Sequence, residues 1–120
     1  MIQSYKELIV WQKSMELVVL IYSLTEGFPK EEIYGLTAQM RRAAVSIPSN
    51  IAEGKLRGTR KEFIQYLRVA YGSGGELETQ IGISKRLQKT SSLDFNKVDE
   101  LLSEVMRMLN GIINKLQAKS

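Results

Sequence analysis

Apolar residues along this chain recur every three or four positions, and alternation of period two never lasts long enough to make a strand. The third segment shows this best: Phe63, Leu67, Ala70, Gly74, Leu77 and Ile81 form a helical seam. The second segment places Ile33, Leu36, Met40, Ala43, Ile47 and Ile51 on one stripe. The fourth offers Val98, Leu101, Val105, Met108 (beside Leu109), Ile112 and Leu116, and the first offers Leu8, Trp11, Met15, Val18 (with Val19) and Tyr22. Four stripes of this kind predict an all-α protein.

The breaks between the stripes are short. They fall at Gly27-Phe28-Pro29, at the run from Gly54 to Thr59, and at the run from Lys89 to Asp94. Short connections make antiparallel neighbours, so the expected fold is an up-down-up-down four-helix bundle with helices over 5–26, 31–53, 60–88 and 95–117. Thr59 stands three residues before Glu62, the spacing of a capping box, and Asp94 is the expected N-cap of the last helix. Glu31 and Glu32 are expected in the first turn of helix two, where a negative charge favours the helix dipole. Pro48 removes one helical hydrogen bond, yet the apolar stripe continues past it through Ile51. Helix two is therefore expected to kink at Pro48 and run on to about Glu53.

Helix one carries more apolar surface than one seam needs. Ile9, Leu17, Leu20, Ile21 and Leu24 lie largely off its stripe, and no helix is central in a bundle of four. These five residues are the expected interface of a homo-oligomer. Helix four shows a milder excess in Leu102, Met106 and Ile113.

Composition then narrows the chemistry. A chain of 120 residues suits one domain, 1–120, with a core large enough to stand without staples. It has no cysteine and no histidine. That excludes disulfides, iron–sulfur clusters, thiol nucleophiles and imidazole bases or metal ligands. No catalytic residue, cofactor, metal or small-molecule substrate is expected, and the protein is read as a non-enzyme. Lys6 and Glu7 precede any apolar run, and the longest such run, 17–22, is too short to cross a bilayer. A cytoplasmic location is expected.

Charge is distributed unevenly. The net charge is +4 overall but +5 between Arg41 and Arg68, where Glu53 and Glu62 are the only acids. Arg41, Arg42, Lys55, Arg57, Arg60, Lys61 and Arg68 are expected to gather at the end of the bundle where helices two and three join. Arginine-rich clusters read phosphate well, so these seven are the candidate nucleic-acid-binding residues, for RNA or DNA. No helix-turn-helix, zinc-finger or RNA-recognition motif accompanies them, so weak sequence preference is expected.

Other motifs carry less. Tyr71-Gly72-Ser73-Gly74-Gly75-Glu76 suggests a phosphate loop, but Glu76 stands where a Walker lysine belongs and the run lies in mid-helix. Close approach of a neighbouring helix is the expected reason for its glycines. The five tyrosines, Trp11 and the phenylalanines are expected in the core or at an interface rather than as base-stacking platforms.

Several stretches together resemble a known family. They are the run from Tyr5 to Lys13, Phe28-Pro29-Lys30-Glu31-Glu32, Tyr34-Gly35-Leu36-Thr37, the run from Gln39 to Gly54 with its Arg-Arg-Ala-Ala-Val-Ser-Ile-Pro core, Lys61-Glu62-Phe63 and the run from Gly75 to Gln80. The sequence resembles the bacterial four-helix-bundle proteins encoded by intervening sequences within 23S ribosomal RNA genes, sometimes labelled S23 ribosomal proteins. Its members are similar to the accessory variability protein of diversity-generating retroelements, a basic homopentamer that associates with its reverse transcriptase and nucleic acid. The resemblance implies a pentamer with a positively charged surface. Two function classes follow: an oligomeric nucleic-acid-binding accessory protein acting through a basic end, or a protein–protein assembly scaffold with no direct nucleic-acid role.

Overall fold

A computed structural model describes residues 4–119 of the chain. Four helices follow one another: α1 (Ile9–Thr25), α2 (Leu36–Leu56), α3 (Arg60–Arg86) and α4 (Asn96–Gln117), with single 3-10 turns at Tyr5–Glu7 and Lys30–Glu32. Each helix packs on its chain neighbour, α4 returns to α1, and the backbones of the diagonal pairs make no close approach. The result is an up-down-up-down bundle measuring 47 × 20 × 20 Å.

The helix ends follow local chemistry. Ser4 Oγ accepts from the Lys6 amide at 3.1 Å and starts the first 3-10 turn, and extended backbone at Leu8 ends it. Helix α1 therefore begins at Ile9 and not at Tyr5. Helix α2 begins at Leu36 and not at Glu31, because the backbone at Gly35 leaves the helical region. Ile33 is consequently outside the helix and exposed. Glu32 still supports the helix start by accepting from the Leu36 amide at 3.1 Å, whereas Glu31 reaches across to Lys89 at 2.7 Å. That pairing holds the Glu31 carboxyl below its ordinary pKa and Lys89 above its own. The Thr59 cap forms as expected, its hydroxyl accepting from the Glu62 amide at 3.2 Å. Asp94 instead accepts from the Asn96 amide at 2.9 Å, one residue ahead of the N-cap position held by Phe95. Helix α2 runs as one element through Pro48 to Leu56. Proline lacks the N–H that would continue the ladder there, and Asn50 Nδ2 adds a bond to the Ser46 carbonyl at 2.8 Å.

The core confirms the stripes of α2 and α3, apart from Ile33 and the half-buried Phe63. Leu36, Met40, Ala43, Ile47 and Ile51 face Leu67, Ala70, Gly74, Leu77 and Ile81, all buried. These two helices make the most extensive pairing in the bundle. A Cβ added at Gly54 would lie 2.7 Å from Tyr66 Cβ, so that pairing needs the glycine. At Gly74 the space of a Cβ is taken by Met106 of α4, whereas Gly72 and Gly75 face open space. Close helix approach therefore explains none of the three, and at Gly74 it is the flexible Met106 side chain that fills the space.

Helix α1 corrects its expectation. Its buried positions are Val10, Ser14, Leu17, Ile21 and Thr25. Leu17 and Ile21, assigned above to an oligomer interface, are fully enclosed within the chain's own core. Leu20 and Leu24 are half-buried against that core, and Ile9 is exposed. The expected seam divides: Leu8, Trp11 and Val18 pack half-buried against the core, whereas Met15 is 43% exposed, Val19 64% and Tyr22 41%. The two polar residues in the buried stripe hid it. Each satisfies its hydroxyl on the helix itself, Ser14 donating to the Trp11 carbonyl at 2.8 Å and Thr25 to the Ile21 carbonyl at 2.7 Å. A smaller shift occurs in α4, whose buried line is Val98, Leu102, Val105, Leu109 and Ile113, with Leu101, Met108, Ile112 and Leu116 on its flank.

Candidate nucleic-acid interface

The seven basic residues singled out in the sequence do not form one cluster. Arg41 and Arg42 stand fifteen or more residues before Arg57 on one helix, about 23 Å up its axis. They belong to the half of the bundle near the α1–α2 connection, which corrects the expectation that all seven converge.

Arg41 has a structural task there. Its Nε donates to Thr25 Oγ1 at 2.9 Å and its Nη2 to the Tyr22 carbonyl at 3.4 Å. Its guanidinium lies 4.4 Å from the centre of the Tyr22 ring. A cation bonded to the last carbonyls of α1 complements that helix end. Arg42 is exposed on the other flank of α2, beside a shallow hollow shared with Ser46, Glu76 and Gln80.

The other five do gather where α2 ends and α3 begins, and their partners differ. Lys55 lies 5.5 Å from the centre of the Phe63 ring. Arg57 is held by Glu53 at 2.8 Å, reaches Glu62 at 3.9 Å and covers the Tyr66 ring at 5.2 Å. The Glu53 hydrogen bond, more than any other influence, lifts the Arg57 pKa further above its ordinary value. Arg60 Nη1 donates to the Lys119 carbonyl at 2.7 Å, which ties the start of α3 to the chain just after α4. The side chains of Lys61 and Arg68 have neither an ion pair nor a hydrogen bond among the described residues.

These positions leave an open groove of about 800 Å³ lined by Arg60, Lys61, Ile64, Gln65, Arg68 and Gln117. Lys61, Ile64, Gln65 and Arg68 share it because residues three, four and seven apart lie on one helix face. Glu53 and Glu62, the two carboxylates between Arg41 and Arg68, are both engaged by Arg57, and no carboxylate among the described residues pairs with Lys61 or Arg68. Lys115 and Lys119 arrive at the same end from the close of α4 and add to its positive potential. The basic count between Arg41 and Arg68 missed these two lysines. The bundle order itself could have found them, since the last turn of a fourth helix lies beside the first turn of the third.

Among the described residues no group of three histidine, cysteine, aspartate or glutamate side chains could hold a metal ion. Among them, too, no helix is long and apolar enough to cross a membrane.

The model of the 23S rRNA-intervening sequence protein family matches residues 6–111, nearly the whole of the bundle. The chain belongs to that family. A solved structure from Bacteroides thetaiotaomicron, a protein of unknown function from the S23 ribosomal protein family, is similar with a TM-score of 0.72. It shares 23% identity over 88% of this chain and 98% of its own, and so shows the shared fold. No curated protein matches the chain. In this member of the intervening-sequence family, the Arg41-Arg42 pair divides into a helix-capping arginine and an exposed one.

Proposed function

We propose that the protein is a cytoplasmic, non-enzymatic, self-associating bundle that binds nucleic acid, RNA foremost, by its phosphates in the Arg60–Lys61–Arg68 groove. The observation that carries the reading is the pairing pattern at that end. Arg57 takes up Glu53 and Glu62, while the Lys61 and Arg68 side chains stand exposed and, among the described residues, unpaired beside a groove open to a polyanion. The family's link by name to 23S rRNA makes RNA the first probe.

Phosphate binding of this kind releases counterions. With three contacts to a single strand, log K is expected to fall against log[salt] with a slope of about −2, roughly a twentyfold loss between 50 and 200 mM. Fluorescence anisotropy with a labelled RNA checks this. A salt-independent affinity, or no binding at low salt, would sink the proposal.

A second reading, a protein–protein scaffold, is favoured by one observation. Met15 of α1 and Val45 of α2 are exposed and line a groove of about 350 Å³ with Trp11, Val18 and Pro48, and Val19 and Tyr22 are exposed on the same helix α1. Such a strip suits a second copy of the chain. The expected result in light scattering is a homo-oligomer, a pentamer by the resemblance, and Val19→Glu is expected to shift it to the monomer. A natural chain that is monomeric at micromolar concentration would remove self-association from both readings. Oligomers that never bind RNA would leave the scaffold alone.

A further inference from the structure

The aromatic residues of the bundle are mostly committed. Tyr22, Phe63, Tyr66 and Phe95 each lie under a cation, from Arg41, Lys55, Arg57 and Lys85 respectively. Tyr5 and Trp11 pack edge to face at 5.4 Å, and Phe28 is buried. Among the described residues, two rings have neither a cation nor another ring against them. Tyr34 is 96% exposed, but it sits ahead of α2 at the end opposite the groove. Tyr71 is 39% exposed and lies on α3 three residues after Arg68 and seven after Ile64, both of which line the groove.

Positions i, i+4 and i+7 follow one helix face, so Ile64, Arg68 and Tyr71 run in line away from Lys61. The rise of a helix puts Tyr71 about 4.5 Å beyond Arg68 and about 15 Å beyond Lys61 along the axis. Two unpaired cations followed by an open aromatic ring supply both parts of a single-strand site: charges for the backbone and a platform for a base. A duplex keeps its bases stacked on each other and has no use for the ring.

We propose that Tyr71 stacks one base of a single-stranded nucleic acid whose phosphates are held by Lys61 and Arg68. This rests on the groove being a phosphate site, as argued above. The expectation that every tyrosine serves the core or an interface is thereby replaced, for Tyr71, by direct contact with the ligand.

The test compares the full-length natural chain with Tyr71→Ala and Tyr71→Phe, using a labelled single-stranded RNA of about ten nucleotides and a duplex of matched length. Tyr71→Ala is expected to weaken single-strand binding roughly 5- to 100-fold. Tyr71→Phe, which keeps the ring, is expected to bind like the natural chain. Duplex affinity is expected to be the same in all three, and it reports at once that the alanine variant is folded. Single-strand affinity unchanged in Tyr71→Ala would overturn the stacking role while leaving the groove intact. Equal loss on both probes would also overturn it, since a base platform acts only on unpaired bases. If the natural chain bound neither probe, the groove reading would fall and the Tyr71 role with it.

Discussion

Replacing Leu17 with alanine is expected to destabilise the fold by about 2–5 kcal/mol, the usual range when a buried leucine is cut back to leave a cavity. Leu17 is fully enclosed and belongs to the one continuous core of the bundle. A loss of that size should lower the melting temperature by roughly 10–20 °C in a chain of this length. Val19, two residues on, is 64% exposed and supplies the contrast. Val19→Ala should change stability by no more than about 0.5 kcal/mol. Thermal or denaturant unfolding at a protein concentration low enough to keep the chains monomeric reads both, since self-association through Val19 would otherwise contribute to the difference. Equal effects at the two positions would mean that the faces of α1 are wrongly assigned.

That pair of residues also marks where the sequence stops being legible. The type and order of the helices could be read because apolar positions three and four apart persist through all four segments. The buried faces of α2 and α3 could be read because their stripes are unambiguous. Helix α1 has two apolar stripes, and periodicity cannot say which faces inward. Ser14 and Thr25 made the true core stripe look the more polar, since a sequence does not show that a hydroxyl can satisfy itself on its own helix. Trp11 drew the other stripe toward the core, and the structure leaves that residue half-buried at the edge of an open groove. Helix starts were displaced for a similar reason: Leu8 and Gly35 leave the helical region only through backbone angles that neither residue announces.

For the candidate site, adjacency in sequence was a fair guide across a short connection and a poor one along a helix. Arg57, Arg60 and Lys61 are close in sequence and close in space. Arg41 and Arg42 lie on the same helix as Lys55 yet fall in the other half of a 47 Å bundle, with Arg41 bonded to the end of α1. What sequence could not show was which cations are already in use. Arg57 counted equally with the other six, but its two carboxylates and the Tyr66 ring make it the most committed of the group. Lys61 and Arg68 carry the free charge.

Reversing those two free charges is the second large expected effect. Lys61→Glu with Arg68→Glu removes two attractions and installs two repulsions at the groove. Each unit charge near a phosphate is worth about 1 kcal/mol in water, reduced by screening at physiological salt. The combined change should therefore weaken RNA binding by about 100-fold and flatten the salt dependence by about 1.4 units of slope. Both side chains are exposed and make no ion pair among the described residues, so the fold and any self-association should survive the change.

The measurement that decides the account sets that double variant beside Lys30→Glu with Lys97→Glu, which alters the net charge equally toward the other end of the bundle. Lys30 follows α1 and Lys97 opens α4, both exposed. Their distance from the groove exceeds the screening length of about 8 Å. RNA affinity measured for the two variants at one salt concentration should drop about 100-fold for the first and stay near the natural value for the second. Equal losses would mean that only total charge matters, and an unaffected first variant would place the nucleic acid, if bound at all, somewhere other than the Arg60–Lys61–Arg68 groove.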